Sequence, residues 1–441
     1  MAAFVLSLLL LPLATNGLRI PWAQKGGKKY ALEKAECNAF QGPSPDVVVD
    51  NYLPISRAPN MTSRSSIFFD NVRRANNPSL YARDGNLLPR QTGELSTALG
   101  GSEYLVGITF GGQAVQAILD TGSSDTWLVQ SGFTCIDASG NQVAQSTCNF
   151  GPLYNGGFSQ QIQNQNFQIT YGDGEVATGS MGYQSVTIAG ITVPSQEVAL
   201  VNRAYWNGDG VSTGLVGLAF AQITSAYQGT DPSKNSPSTR ITYDPLFTTM
   251  WKQGLSAPTF SLALQRNQGG YIAFGGLPPV TTTGSYATTP LQNFNGKAGS
   301  AFTGQSFYTI TPDALVFSGA ASKQSNQYII DSGTTLNYLP SSTAMAVNSL
   351  FSPKATLSNG IYTVSCNAKP PVFGVKIGGQ TFVINPVDMI LQDQTSGQCV
   401  SAIQDGGAAP GPFILGDAFL NNVVAVFDVG AAQMRFAKHI Y

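Results

Sequence analysis

The stretch "AILDTGSSDTWL", residues 117–128, carries apolar residues into an acid, passes through glycine and hydroxyl residues, and returns to tryptophan and leucine. One such stretch reads most simply as a turn aspartate that hydrogen-bonds its own backbone. The same pattern recurs 211 residues later in "YIIDSGTTLNYL", residues 328–339. Asp120, Thr121, Gly122 and Ser123 are answered by Asp331, Ser332, Gly333 and Thr334, and a repeated oddity in matching context is hard to assign to turn chemistry alone.

The repetition extends further along the chain. Each acid is followed, much later, by a hydrophobic pair and a glycine: "GLVGLAF" at 214–220 in the first half, "PFILGDAFL" at 412–420 in the second. Two related lobes facing one another would bring one aspartate from each to a common centre. Between the halves, "GGYIAFGGLPPV" at 269–280 is rich in glycine and proline and marks the expected boundary, with one lobe over 91–276 and the other over 277–441. A chain of 441 residues has room for both, since single cores stop growing near roughly 250–300 residues.

The local patterns predict an all-β, bilobal molecule with few helices. In "EYLVGITF", 103–110, Tyr104, Val106, Ile108 and Phe110 fall on one face at period two. "NFQITYGDGEVATGSMGYQSVTIAGITV", 166–193, reads as at least two hairpins, with Gly-Asp-Gly at the first tip. A helix is expected over 244–251, capped by Asp244 with Pro245 in its first turn and Gly254 ending it. A second is expected over 341–351, with Val347, Leu350 and Phe351 facing inward.

The chain has one histidine, His439, three residues from its end. A Ser-His-Asp or Cys-His site, or a histidine-held metal, would have to use it. Carboxylates are therefore the natural acid and base, and Asp120 and Asp331 the candidates. The amides of Gly122 and Gly333 and the hydroxyls of Ser123 and Thr334 are placed to donate to them, while Thr121 and Ser332 can tie the two loops together. Two full charges about 3 Å apart would repel by roughly 5 kcal/mol at an effective dielectric near 20, so one proton is shared and the pair titrates as a unit. The ionised member can then take a proton from water attacking a peptide carbonyl while the protonated member donates to the carbonyl oxygen; shared-proton aspartate pairs are a known solution of this kind.

Taken together, "DTGSSDTWL", "ITYGDGEVATG", "DSGTTLNYL" and "FILGDAFL" resemble the pepsin-like aspartic proteases, and "GGLPPV" resembles their fungal members. The resemblance covers about 103–436. It implies an acid endopeptidase without cofactor or metal, with Asp120 and Asp331 as the catalytic pair. It further implies a hairpin flap carrying Tyr171, Gly172 and Asp173, support of the flap tyrosine by Trp127, and an apolar pocket drawing on Ile118, Tyr171 and Leu215. Substrates would be proteins or peptides with bulky apolar residues at the cut. The acidic Asp173, with Glu175 near it, is expected to let lysine or arginine precede the scissile bond.

The remaining features fit a secreted zymogen. Residues 1–17 have the apolar core and small-residue end of a signal peptide. Residues 18–90 hold eleven basic and six acidic side chains, whereas the rest holds twelve and eighteen; a basic arm covering an acidic body is expected, as in an inhibitory prosegment, with Arg90 and the Arg73-Arg74 pair as processing points. Four of the five cysteines permit three pairings, and Cys135–Cys148 and Cys366–Cys399 each close a local loop; Cys37 lies in the arm. With 11% charged residues and no dense basic patch the chain is no nucleic-acid binder, and it has no second apolar run of membrane length. A monomer, secreted or alternatively vacuolar, is expected. A glycosidase would also use two carboxylates but does not require duplicated Asp-hydroxyl-Gly loops. A noncatalytic binder on the same fold would not need both acids.

Overall fold

The structure, a computed structural model, describes residues 23–25, 28–30, 46–57, 103–172, 174–266, 269–294, 305–358, 360–392, 397–408 and 413–441. The signal peptide, Cys37, the arginines at 73, 74 and 90, and Asp173 lie outside these residues.

Strands dominate. In the first half the three long strands Gln160–Thr170, Val176–Ile188 and Ile191–Tyr205 form two successive hairpins. The turn of the second is Ala189-Gly190, both at positive φ (50° and 75°), the backbone twist that suits a two-residue hairpin. Tyr104–Phe110 pairs antiparallel with Gln113–Asp120. Its alternation sorts side chains as the period-two pattern predicts: Tyr104, Val106, Ile108 and Phe110 enter one apolar cluster, whereas Leu105 joins another.

A run of strands joins the halves edge to edge. In order these are Tyr104–Phe110, Tyr52–Arg57, Gly269–Phe274, Thr259–Gln265, Val423–Asp428, Gln433–Ile440 and Thr281–Pro290. The glycine-rich boundary stretch thus contributes a strand to the shared sheet. So does Tyr52–Arg57, inside the segment expected to be an arm. On this platform Phe260 is fully buried, stacked on Phe427 at 4.3 Å and meeting Phe247 and Tyr308 edge-on at 4.8 and 5.6 Å. Because three aromatic rings frame the space it would leave, Phe260→Ala should destabilise the fold by about 3–5 kcal/mol. Urea unfolding at pH 5 measures this, and a loss under about 1 kcal/mol would mean that the platform repacks freely.

Two helix expectations need correction. The first helix is Leu246–Lys252 with Pro245 at its N-cap; Asp244 caps nothing, and both its oxygens meet Lys252 Nζ at 3.1 Å. The first intrahelical bond runs from the Thr249 amide to the Pro245 carbonyl, so the carboxylate sits one position too early to reach the free amides. Gly254 follows the end at φ 71°, with the Leu255 amide bonded back to Met250 O, as a glycine terminator requires. The second helix stops at Asn348, whose side chain donates to the carbonyls of Ala344 and Ile403. Past that point helical spacing no longer applies. Val347 and Phe351 are buried, but Leu350 is exposed.

Candidate active site

Each acid ends a strand that is flanked in parallel by the later glycine element of its own half. Gln113–Asp120 pairs with Gly214–Gly217, and Tyr328–Ile330 pairs with Phe413–Leu415. Beyond these pairings the Leu218 amide donates to the Asp120 carbonyl at 2.9 Å, and the Asp331 amide donates to Leu415 O at 3.2 Å. The backbone at both acids is thereby fixed by two neighbours, and apolar side chains back each loop: Ile118, Trp127 and Leu215 behind the first, Ile329, Leu336 and Ile414 behind the second.

The two loops are knotted to each other by four bonds. The Ser332 amide donates to Thr121 Oγ1 (2.9 Å) and the Thr121 amide to Ser332 Oγ (3.2 Å), while Thr121 Oγ1 donates to Ile330 O (3.0 Å) and Ser332 Oγ to Leu119 O (2.9 Å). This is the tie expected of these hydroxyls. Within it, Asp120 accepts from the Gly122 amide at 2.6 Å and from Ser123 Oγ, and Asp331 accepts from the Gly333 amide at 2.8 Å and Thr334 Oγ1 at 2.6 Å. Neither glycine has room for a side chain: a Cβ on Gly122 would lie 2.5 Å from Asp331 Oδ1, and one on Gly333 2.5 Å from Asp120 Oδ1. Each acid thus leans over the opposite loop's glycine, which brings the carboxyls into contact.

Both acids are almost fully buried, at 4% and 7% exposure. Burial, then the charge of Asp331, pushes the Asp120 carboxyl up to about 8; burial raises Asp331 as well, against hydrogen bonds from Thr334, the Gly333 amide and Asp120. The pair holds a proton between its members well above the usual carboxylate range.

Tyr171 ends the arm of the hairpin next to this pair. Its hydroxyl accepts from Trp127 Nε1 at 2.9 Å, and burial followed by the charge of Asp120 holds it far above its ordinary pKa. Gly172 continues the turn, which the Tyr171 amide closes onto Glu175 O at 2.8 Å. Ile118 and Leu215 are register partners across the parallel pair and sit in the cluster on which Tyr171 packs, only 5% and 3% exposed. The bridges are Cys135–Cys148 and Cys366–Cys399. His439 lies in the last strand with Nδ1 facing Leu264 O.

Sequence reasoning passed over Asp417, in "FILGDAFL". It is 3% exposed with no hydrogen-bond partner for either oxygen among the described residues, and burial followed by the charge of Asp331 raises its pKa well above the ordinary value. An acid amid an otherwise apolar run was the available signal. Asp125 is likewise fully buried, accepting from Tyr243 Oη at 2.5 Å and the Ser225 amide at 2.9 Å, and burial raises its pKa too.

The family model described as eukaryotic aspartyl protease matches residues 103–439. The chain belongs to the eukaryotic aspartyl protease family. A probable aspartic-type endopeptidase of Aspergillus fumigatus is 41% identical over 427 residues, covering 92% of each chain. Penicillopepsin-1 of Penicillium janthinellum is 30% identical over 340 residues, 76% of this chain and 94% of that protein. Among solved structures, an aspartic proteinase from Irpex lacteus superposes with a TM-score of 0.59 over 77% of this chain and 94% of its own, at 20% identity, a likeness of fold. This aspartyl protease is a peptidase of the pepsin-like, fungal type, and its strand-rich bilobal architecture is that of the family.

Proposed function

We propose that the chain is an acid endopeptidase in which Asp120 and Asp331 activate a water molecule between them. The observation that carries this reading is the mutual burial of the two carboxyls, each held by an amide and a hydroxyl and each lying over the other's glycine. A pair that holds one proton has both an acceptor for the proton of an attacking water and a donor for the carbonyl oxygen, so no covalent intermediate is required. An extended peptide lies along the cleft beneath the Tyr171 hairpin, its backbone bonded as an added strand and its apolar side chains in alternate pockets. Ile118, Leu215 and the Tyr171 ring form the apolar wall for the residue before the cut. Incubating a denatured protein with the enzyme near pH 4 tests the reading: wild type should cut it, mainly between bulky apolar residues. A peptide series with lysine or leucine before the cut, repeated with Asp173→Ser, tests the expectation for the acidic turn; an unchanged Lys/Leu ratio rules it out.

Synthesis as a secreted zymogen is part of the same proposal. Two disulfides fit an oxidising compartment. The basic arm contributes the strand Tyr52–Arg57 to the sheet shared by both halves, and Arg57 is the cation whose charge opposes the raised pKa of Asp417. At neutral pH the unprocessed chain should therefore cleave far more slowly than a form lacking the arm. Equal rates would exclude an inhibitory role.

A further inference from the structure

We propose that Trp206 is a positioning residue that sets where the Tyr171 ring rests beside the acid pair, and that the chain flanking the Cys135–Cys148 bridge holds Trp206 in place. The inference rests on the reading of Tyr171 as the residue that covers bound substrate.

Trp206 follows the long strand Ile191–Tyr205 and is 4% exposed. Its ring meets Tyr171 edge-on at 5.5 Å and Trp127 edge-on at 5.2 Å, so it touches both members of the Trp127–Tyr171 hydrogen bond. On its other side Phe150 stacks on it at 5.7 Å with the planes 12° apart. Phe150 comes two residues after Cys148, and it meets Phe133, two residues before Cys135, at 5.4 Å. The disulfide therefore pins together the two flanking segments whose rings, Phe133 and Phe150, meet and back Trp206. Backbone bonds fasten the following residues to the same loop: the Gly208 amide donates to Cys148 O, Asn149 Nδ2 to Gly208 O, and the Gly210 amide to Asn149 O, all within 3.0 Å.

A second link ties this support to the hairpin. The Asn207 amide donates to Glu175 Oε1 at 2.7 Å, and Glu175 is buried at the foot of the turn that begins at Tyr171. The hairpin end is thus gripped twice by consecutive residues, through the ring of Trp206 and the amide of Asn207. The indole nitrogen of Trp206 is buried with no acceptor among the described residues. Such a group costs the fold something and calls for an explanation. The position keeps an aromatic ring edge-on against Tyr171 in spite of that cost, and it is the ring, rather than its N–H, that the contact uses.

The test is steady-state hydrolysis, by the acid-activated full-length product, of an octapeptide with phenylalanine on both sides of the cut. Trp206→Leu should raise KM by about tenfold with kcat within about twofold, the signature of lost uniform binding. Its melting temperature should fall, because the space left beside Phe150 and Trp127 outweighs the removal of an unpartnered N–H; a raised KM with kcat held is what separates positioning from mere destabilisation. Trp206→Phe should recover most of the KM. Glu175→Gln, which keeps the shape and weakens the charge-assisted bond to Asn207, should raise KM about threefold, and so should the double substitution Cys135→Ser, Cys148→Ser. An unchanged KM in Trp206→Leu and Glu175→Gln, with wild type cleaving normally, overturns the inference. So does a parallel fall of kcat and melting temperature, which marks a merely structural tryptophan. A wild-type enzyme that leaves the peptide intact defeats the endopeptidase reading itself, and this inference with it.

Discussion

Asp331→Asn and Asp120→Asn should each lower peptide hydrolysis near pH 4 by about a thousandfold or more, because either amide removes the acceptor or donor that the attacking water and the carbonyl need. Folding should survive both changes. Each carboxyl accepts from one amide and one hydroxyl, and the side-chain oxygen of an asparagine can still meet one of these donors. The amide also cannot ionise, so it abolishes the repulsion within the pair. A variant that melts like wild type and yet is inert fits the proposed chemistry; residual activity above about a tenth of wild type would remove the acid pair from the reaction.

The second large effect is on stability. Asp120, Asp331, Asp125 and Asp417 all have pKa values raised by burial in the folded chain, that of Asp120 to about 8 from an ordinary 3.8. Above pH 4 the unfolded chain releases these protons before the folded chain does, and the acid pair keeps its shared proton longest. Their stabilising contribution is therefore complete below about pH 4, declines as pH rises, and for Asp120 is gone once pH passes about 8. Each retained proton lowers the unfolding free energy by about 1.4 kcal/mol per pH unit over this interval. His439, depressed to about 4 by burial, acts in the opposite direction between its ordinary value and 4. It is one group against four. The melting temperature should fall steeply from pH 4 to pH 8, and Asp417→Asn should flatten the fall while raising stability at pH 7.5. A melting temperature that holds level or climbs across this range would show that the carboxyls are ionised in the fold.

The acid pair and its ties were legible because they are local. Asp120, Gly122 and Ser123 act on atoms within a few residues, and the single long-range fact needed, that two such loops meet and Thr121 bonds across to the second, was signalled by their repetition. Leu350 was misplaced because helical spacing was carried past Asn348, where the helix ends and the Leu350 amide bonds to Val347 O three residues back. Asp244 was misread because the helix begins one residue later than expected, with Pro245 at the N-cap, which leaves its carboxylate to Lys252. The strand Tyr52–Arg57 was hidden by its setting, since net charge over a long segment says nothing of which six residues pair with a sheet. Trp206 carried no pattern at all. A single aromatic in a loop has no period, and its significance depends on Phe150, Trp127 and Tyr171, which reach it from other parts of the chain.

The four bonds that knot the two acid loops together have a bearing on biosynthesis. The ribosome releases the first acid long before the strand Phe413–Leu415, which aligns the second, has been made. A nascent or prematurely terminated polypeptide lacking its last thirty or so residues would carry one aspartate poised and the other unsupported. The proposed acid pair is therefore completed only once that late strand has been made, which keeps the growing chain from its own activity.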